Sequence, residues 1–256
     1  MKIALSTSCC LTIEQAFDIA ERADIDWVEL FPLKNTTQGE ILKIRQSYGN
    51  KTAGIQIAGI HLPFWVRAKD FWTVFRGESG IEKLYQLIFR YQIGSMESNP
   101  AIELAKLYRP EYVVLHHDIR EEAYDQFGFS GLRIAIENER PKPYRAGGKD
   151  SFRDVTRNIS RSLVVDLGHH NLTVDDIRMI KNNQREPDCT EVPIAAVHIP
   201  FAKLEGKTAE VIRAINSISN NCWYVIELSP LPYLFSSAKL VRHCRQITDQ
   251  LREILG

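Results

Sequence analysis

Apolar positions along this chain fall into two alternating rhythms. Short, nearly continuous apolar runs suit strands buried on both faces, and the stretches between them carry apolar residues three and four positions apart, as one face of a helix requires. Lys2 to Ser6 reads as a first strand. Thr12 to Ala20 reads as a helix with Thr12 as its N-cap. Trp27 to Pro32 is a second strand, Gly39 to Tyr48 a polar helix, and Ile55 to His61 a third strand. Leu62 to Gly80 is longer than an ordinary connection and carries Phe64, Trp65, Phe71, Trp72 and Phe75, which predicts a functional loop or cover. Helical spacing returns at Ile81 to Tyr91 and Pro100 to Tyr108, ahead of a strand at Tyr112 to His116. Few residues separate that strand from the next, Arg133 to Glu139, so the fourth helix must be short or irregular. After a Pro/Gly loop at Pro141 to Gly148, helices are expected at Phe152 to Ile159, Val174 to Asn182, Thr208 to Ser219 and Ser237 to Leu255. Strands are expected at Ser162 to Asp166, Ile194 to His198 and Trp223 to Leu228.

Eight strands, each followed by a helix or loop, in 256 residues point to an α/β chain folded as one (β/α)8 TIM barrel spanning 1–256, a fold whose usual length is about 250 residues. An open doubly wound sheet also alternates strand and helix. It normally opens with a Gly-rich turn, however, and Ser6-Thr7-Ser8-Cys9-Cys10 is not one.

The strand ends strengthen the case for closure. Arg133-Ile134-Ala135-Ile136-Glu137-Asn138-Glu139 sends Ile134 and Ile136 to one side and Ala135 and Glu137 to the other, so an apolar strand finishes in an inward carboxylate. The next three strands end alike, in Asp166, His198 and Glu227. His61 and His116 close earlier ones. In a barrel all such ends meet at one face, whereas in an open sheet they would be strung along an edge. Four consecutive strands ending in carboxylate or imidazole make Glu137, Asp166, His198 and Glu227 candidate metal ligands. Glu29 closes the second strand. Its ordinary reading is a solvated loop residue, and it stands here as a substrate-binding candidate beside His61, His116 and Trp65.

Composition narrows the partners. Lysine plus arginine and aspartate plus glutamate are both 32, for a formal net charge of +0, so no global field draws nucleic acid or an anionic membrane. The five cysteines have no CxxC spacing, which favours a reducing, cytoplasmic setting over a disulfide framework. No apolar run approaches the ~18 residues of a membrane span. A homo-oligomer is compatible with all of this.

At these positions the sequence resembles a known group of proteins. HLPF at His61, LHH at His116, IEN at Glu137, the D-x-G-H run from Asp166 to His169, VHI at His198 and IEL at Glu227 are similar in order and spacing to the xylose isomerase-like barrels, which include sugar isomerases, ketose epimerases, inosose dehydratases and apurinic-site endonucleases. The resemblance spans nearly the whole chain. It implies metal ligands at Glu137, Asp166, His198 and Glu227, with His61, His116 and His169 lining the pocket or extending the site. Two departures stand out: Ile199-Pro200-Phe201 follows His198 where many members carry an acidic or amide residue, and the stretch after His116 is short.

Three carboxylates and one imidazole suit a hard or borderline divalent cation, Mn or Mg first, with Zn or Co as alternatives. Such a site leaves positions for two oxygens of a small, sugar-like substrate. Glu137 or Glu227 then serves as base beside a polarised carbonyl, and His169 orients substrate oxygens. The expected activity is that of a sugar isomerase or epimerase in carbohydrate metabolism. Phosphodiester cleavage of the apurinic-site endonuclease type is the alternative. The three-zinc cluster of those enzymes requires a D-x-H pair after the seventh strand, and neither aspartate nor histidine occurs between His198 and Glu227. A barrel that binds a small molecule without catalysis is the third reading.

Overall fold

The computed structural model describes residues 1–32, 37, 39–40, 42–43, 54–62, 64–66, 91–93, 100–116, 131–138, 162–169, 171–183 and 194–256. Ten strands lie among them: β1 (Lys2–Ser6), β2 (Trp27–Leu30), β3 (Gln56–His61), β4 (Phe64–Val66), β5 (Tyr91–Ile93), β6 (Tyr112–His116), β7 (Ile134–Glu137), β8 (Ser162–Asp166), β9 (Ile194–Ile199) and β10 (Trp223–Ile226). Eight of these close into a parallel barrel in the order β1-β10-β9-β8-β7-β6-β3-β2. The TIM barrel read from the strand ends is therefore the fold.

The remaining pair is a departure from expectation. Phe64–Val66 and Tyr91–Ile93 form a separate two-stranded parallel sheet, with Trp65 opposite Gln92. The first lies inside the stretch read as a covering loop, and the second begins where a helix was expected to end. Apart from Gln92, both triplets are aromatic or β-branched, which fits a pleated strand. The expected apolar wall of Phe64, Trp65 and Trp72 lies outside the described side chains. The fourth helix and the helix expected at Phe152 to Ile159 likewise fall outside the described residues.

Helices Ile13–Arg22, Pro100–Tyr108, Val174–Asn183, Lys207–Ile218 and Ser237–Leu255 occupy the positions their spacing predicts. Thr12 caps the first, its Oγ1 accepting the Gln15 amide at 3.1 Å. The last buries Leu240, Val241, Cys244, Ile247 and Leu251 along one face, each large aliphatic side chain contributing roughly 1.5–3 kcal/mol of hydrophobic stabilisation. Among the described residues no helix is long and apolar enough to cross a membrane. Cys9, Cys10, Cys222 and Cys244 are buried free thiols.

Strand alternation sorts the core into two bodies. Ile134, Ile136, Leu163, Val165, Val197, Ile199, Tyr224 and Ile226 join the outer cluster between sheet and helices. Ala135, Val164, Ala196 and Val225 join a smaller cluster inside the barrel, with Tyr112, Val114 and Trp223. Each of those four inward residues stands two positions before a ligand-type residue: Glu137, Asp166, His198 and Glu227. Period-two geometry thus carries all four to the same interior, one layer higher.

Candidate functional site

His198 is the centre of the site. It is fully buried on β9, with Val225 of β10 as its register partner on one side and Asp166 of β8 on the other. Its Nδ1 lies 2.8 Å from Glu137 Oε1 and 2.9 Å from Glu227 Oε2. Its Nε2 faces the opposite way, 3.2 Å from Glu29 Oε2. His61 stacks against it with ring centroids 5.4 Å apart and planes inclined by 28°, and His61 Nε2 lies 3.5 Å from Glu137 Oε2. The His61 Nδ1 in turn meets the Leu62 carbonyl oxygen at 3.0 Å.

Glu227 follows the last residue of β10, and its amide continues the ladder to the Ile199 carbonyl at 2.9 Å. Ser8 donates to its Oε1 at 3.1 Å. The backbone on either side of Glu227 is tied to Cys9, whose Sγ donates to the Ile226 carbonyl at 3.3 Å and accepts the Leu228 amide at 3.1 Å. The short 3₁₀ turn Thr7–Cys9 after β1 therefore fixes both the carboxylate and its backbone. Burial pushes the Cys9 thiol well above its ordinary pKa, leaving it neutral and suited to a structural role.

Asp166 follows a different geometry. Its Oδ1 accepts the Gly168 amide at 2.6 Å and its Oδ2 lies 3.3 Å from His169 Nε2. The tight turn has a steric reason, because a Cβ on Gly168 would lie 2.8 Å from Pro200 Cγ. Asn138 braces the same corner. Its Oδ1 accepts the Asp166 amide at 2.5 Å, its Nδ2 donates to the Asp166 carbonyl at 3.1 Å, and its own carbonyl pairs with His169 Nδ1. Burial raises the Asp166 pKa and Glu137 adds to this, while His169 opposes it.

Two overlapping groups result. His61, Glu137, His198 and Glu227 bring ligand atoms within 4.8 Å of one another, and so do Glu137, Asp166 and His169. The four ligands expected from strand ends are thus divided. Asp166 turns toward His169, His61 takes its place beside His198, and Glu137 belongs to both groups. Glu29 is fully buried, in contact with His198 and Tyr112. His116 ends β6 with its backbone opposite Glu137, but its side chain, like that of Trp65, lies outside the described residues.

The donor set fits a divalent cation. Ligand atoms about 2.1 Å from an octahedral ion stand ~3.0 Å apart along each edge, close to the 2.8 and 2.9 Å separations at His198 Nδ1. One imidazole nitrogen carries at most one proton, so two carboxylate oxygens against it demand more positive charge than a neutral ring supplies. Burial alone would lower the His198 pKa, but Glu29, Glu227 and Glu137 reverse this and hold it well above the usual imidazole value. Burial likewise opposes protonation of His61, and the Glu137 carboxylate outweighs it. The gathered carboxylates thus favour the protonated rings, the same positive charge that a cation in the cluster would supply.

Asn138, Ser8, Tyr112 and Gly59 were not among the residues expected at the site. Asn138 had a signal in the IEN run, where a buried amide follows the strand-end carboxylate. The other three act through partners far apart in sequence, a relation that no local pattern encodes.

No known protein family matches the sequence, and no curated protein does. Among solved structures the chain is similar to a family 2 AP endonuclease from Brucella melitensis, at 15% identity over 90% of this chain and 93% of that one, with a TM-score of 0.52. It is also similar to an uncharacterised protein from Parabacteroides distasonis, at 11% identity over 98% of both chains and a TM-score of 0.53. A tryptophan synthase complex from Pyrococcus furiosus matches at 9% identity over 98% of this chain and 96% of that one, with a TM-score of 0.50. At such identities the likeness concerns the barrel alone, and that barrel is the architecture implied by the xylose isomerase-like motifs.

Proposed function

We propose that this chain is a divalent-metal-dependent isomerase or epimerase acting on a sugar, ketose or polyol-derived small molecule. The supporting observation is the convergence of Glu137 and Glu227, from strands three apart around the barrel, on one nitrogen of His198 at 2.8 and 2.9 Å. A divalent ion held by His61, Glu137, His198 and Glu227 would supply Lewis acidity toward two neighbouring substrate oxygens. The chain's own residues do the rest. One of the two glutamates removes the proton from the carbon beside the carbonyl; delivery of a proton to the former carbonyl carbon completes an isomerisation, and delivery by the other glutamate to the opposite face of the same carbon completes an epimerisation. His169, braced by Asn138, orients a substrate hydroxyl. The partner is a small, sugar-like molecule, and the reducing cytoplasm is the setting the free thiols suit.

The test is a panel of ketoses and inososes with added Mn, in deuterated water, followed by proton NMR. Deuterium entering the carbon next to the carbonyl, lost on chelation, supports the reading. Absence of exchange from every substrate in protein that retains metal rejects it.

A second reading, phosphodiester hydrolysis, is favoured by one observation: Glu137 also belongs to the Glu137, Asp166 and His169 group, so two ions could share it. Metal stoichiometry and cleavage of a duplex with an abasic site distinguish the two. One ion with ketose exchange favours the isomerase, and two ions with strand cleavage favour the hydrolase.

A further inference from the structure

We infer that Glu29, held by Tyr112, is a positioning residue that fixes which nitrogen His198 offers to a metal ion. This inference rests on the metal-site reading above and goes beyond it.

A ligating imidazole uses one nitrogen, and the other keeps a proton that needs an acceptor; a carboxylate there sets the ring's tautomer and orientation and makes it a better donor to the metal. In this barrel the two nitrogens of His198 have separate surroundings. Nδ1 faces Glu137 and Glu227, and Nε2 faces Glu29 Oε2 at 3.2 Å. Glu29, His198 and Tyr112 are all 0% exposed, so Glu29 meets these side chains rather than solvent. Its hydrogen bonds run through Oε2, which also accepts from Tyr112 Oη at 2.8 Å. Its Oε1 has no hydrogen-bond partner among the described residues.

A buried carboxylate with half its acceptor capacity unused is costly unless its charge serves a neighbour. The neighbour here is an imidazole that must point one way. Tyr112 reaches Glu29 from β6 because the intervening position on β3 is Gly59; a Cβ there would lie 2.4 Å from the tyrosine Cζ. Glycine, tyrosine, glutamate and histidine thus form one line across the barrel interior. That line ends on the nitrogen opposite the metal-facing one.

The test loads the protein with cadmium after labelling its histidines with ¹⁵N. In the wild type, cadmium–nitrogen coupling is expected at His198 Nδ1, with a proton retained on Nε2. Coupling at Nε2 overturns the inference, and this measurement requires no variant to fold. Zinc affinity is then measured by competition with a chelator for the wild type and for Glu29→Gln, at a temperature where both are folded. Losing the carboxylate charge is expected to weaken binding about 10- to 100-fold. Tyr112→Phe, which leaves the carboxylate in place, is expected to have the smaller effect. Unchanged affinity in Glu29→Gln overturns the role of Glu29 while leaving the metal site intact. A wild type that binds neither zinc nor cadmium removes the metal-site reading and this inference with it, a result distinct from either of the others.

Discussion

The two ends of the barrel are both built from charged and aromatic side chains, yet their charge is managed in opposite ways. At the N-terminal end, Lys2 pairs with Glu111 at 2.8 Å and lies over the Trp223 ring at 5.2 Å, and the indole donates to the same carboxylate at 2.9 Å. The Lys2 and Glu111 side chains keep 34% and 42% of their surface in solvent. Partial burial would raise the Glu111 pKa, but hydrogen bonds from Lys2 and Trp223 hold it below the usual carboxylate range. At the C-terminal end, Glu29, Glu137 and Glu227 surround one histidine with side chains 0%, 3% and 10% exposed. One end is balanced and wet, as a closure of the barrel should be; the other gathers three buried carboxylates around one histidine, a grouping that could hold a cation.

The sharpest way to break this comparison is to remove one acceptor from the buried end. Glu227→Gln keeps the shape and can still accept from Ser8, but it loses charge and basicity. Turnover is expected to fall by about 10²- to 10⁴-fold, the usual scale for a general base, with metal binding weakened and the melting temperature of the chelated protein nearly unchanged. Metal analysis and thermal melting, run beside deuterium exchange, read all three. Full metal content with full exchange would take Glu227 out of the mechanism. A purely structural carboxylate would show the reverse, a stability loss of roughly 1–3 kcal/mol with metal content intact.

Metal and pH should act jointly on the same end. Saturation at about 100 times Kd is expected to stabilise the fold by ~2.7 kcal/mol. Without metal, the raised His198 and His61 pKa values mean that their contribution is fully present below the unfolded imidazole value of about 6.5 and is lost as pH rises through the folded values. With metal the sign reverses, because the ion requires a neutral ring and binding strengthens as pH rises. Denaturant melts with chelator and with Mn, taken from mildly acidic to mildly alkaline pH, should therefore diverge upward in pH. Parallel curves would show that no ion competes with those protons.

The inward direction of the site was legible in the sequence because strand parity is strict. Once Ile226 and Leu228 face the helices, Glu227 has only the interior, and the same holds for Glu137 between Ile136 and Asn138. The division of the candidate ligands between two groups was not legible. Asp166 and His198 are register partners, and parity alone gives them equal claims on one ion. What separates them is the turn at Gly168 against Pro200, a contact between two strands' loops. Glu29 was legible as a strand-end residue with a solvated ordinary reading, but not as a buried partner of His198, since that depends on Tyr112 crossing above Gly59. The small β4-β5 sheet escaped because triplets are too short to show a period.

Gly59→Ala tests the interior line between the two ends. The added methyl meets the Tyr112 ring at 2.4 and 2.5 Å and its hydroxyl at 2.9 Å, within a packed interior that cannot open cheaply. A destabilisation of about 1–3 kcal/mol is expected, with metal affinity lowered because the phenol is displaced from Glu29. Stability lost with unchanged affinity would mean that the line is packing only.

The smallest expected effect belongs to the balanced end. Lys2→Met removes one charge of a partly solvated pair and the cation over Trp223. Exposed ion pairs are worth about 0.2–1 kcal/mol and exposed cation–π contacts ~0.5–1 kcal/mol. The loss should shrink in high salt, where such pairs are screened. Glu111 keeps its bond from Trp223 and can turn to water, so no buried charge is stranded. Metal affinity should not move, because β1 separates Lys2 from Ser6 by nearly its whole length. Thermal melts at low and high salt, with zinc competition alongside, measure both quantities. A Lys2→Met protein that melted normally but bound metal differently would show that the two ends are coupled, and the contrast between a closure and a site would no longer hold.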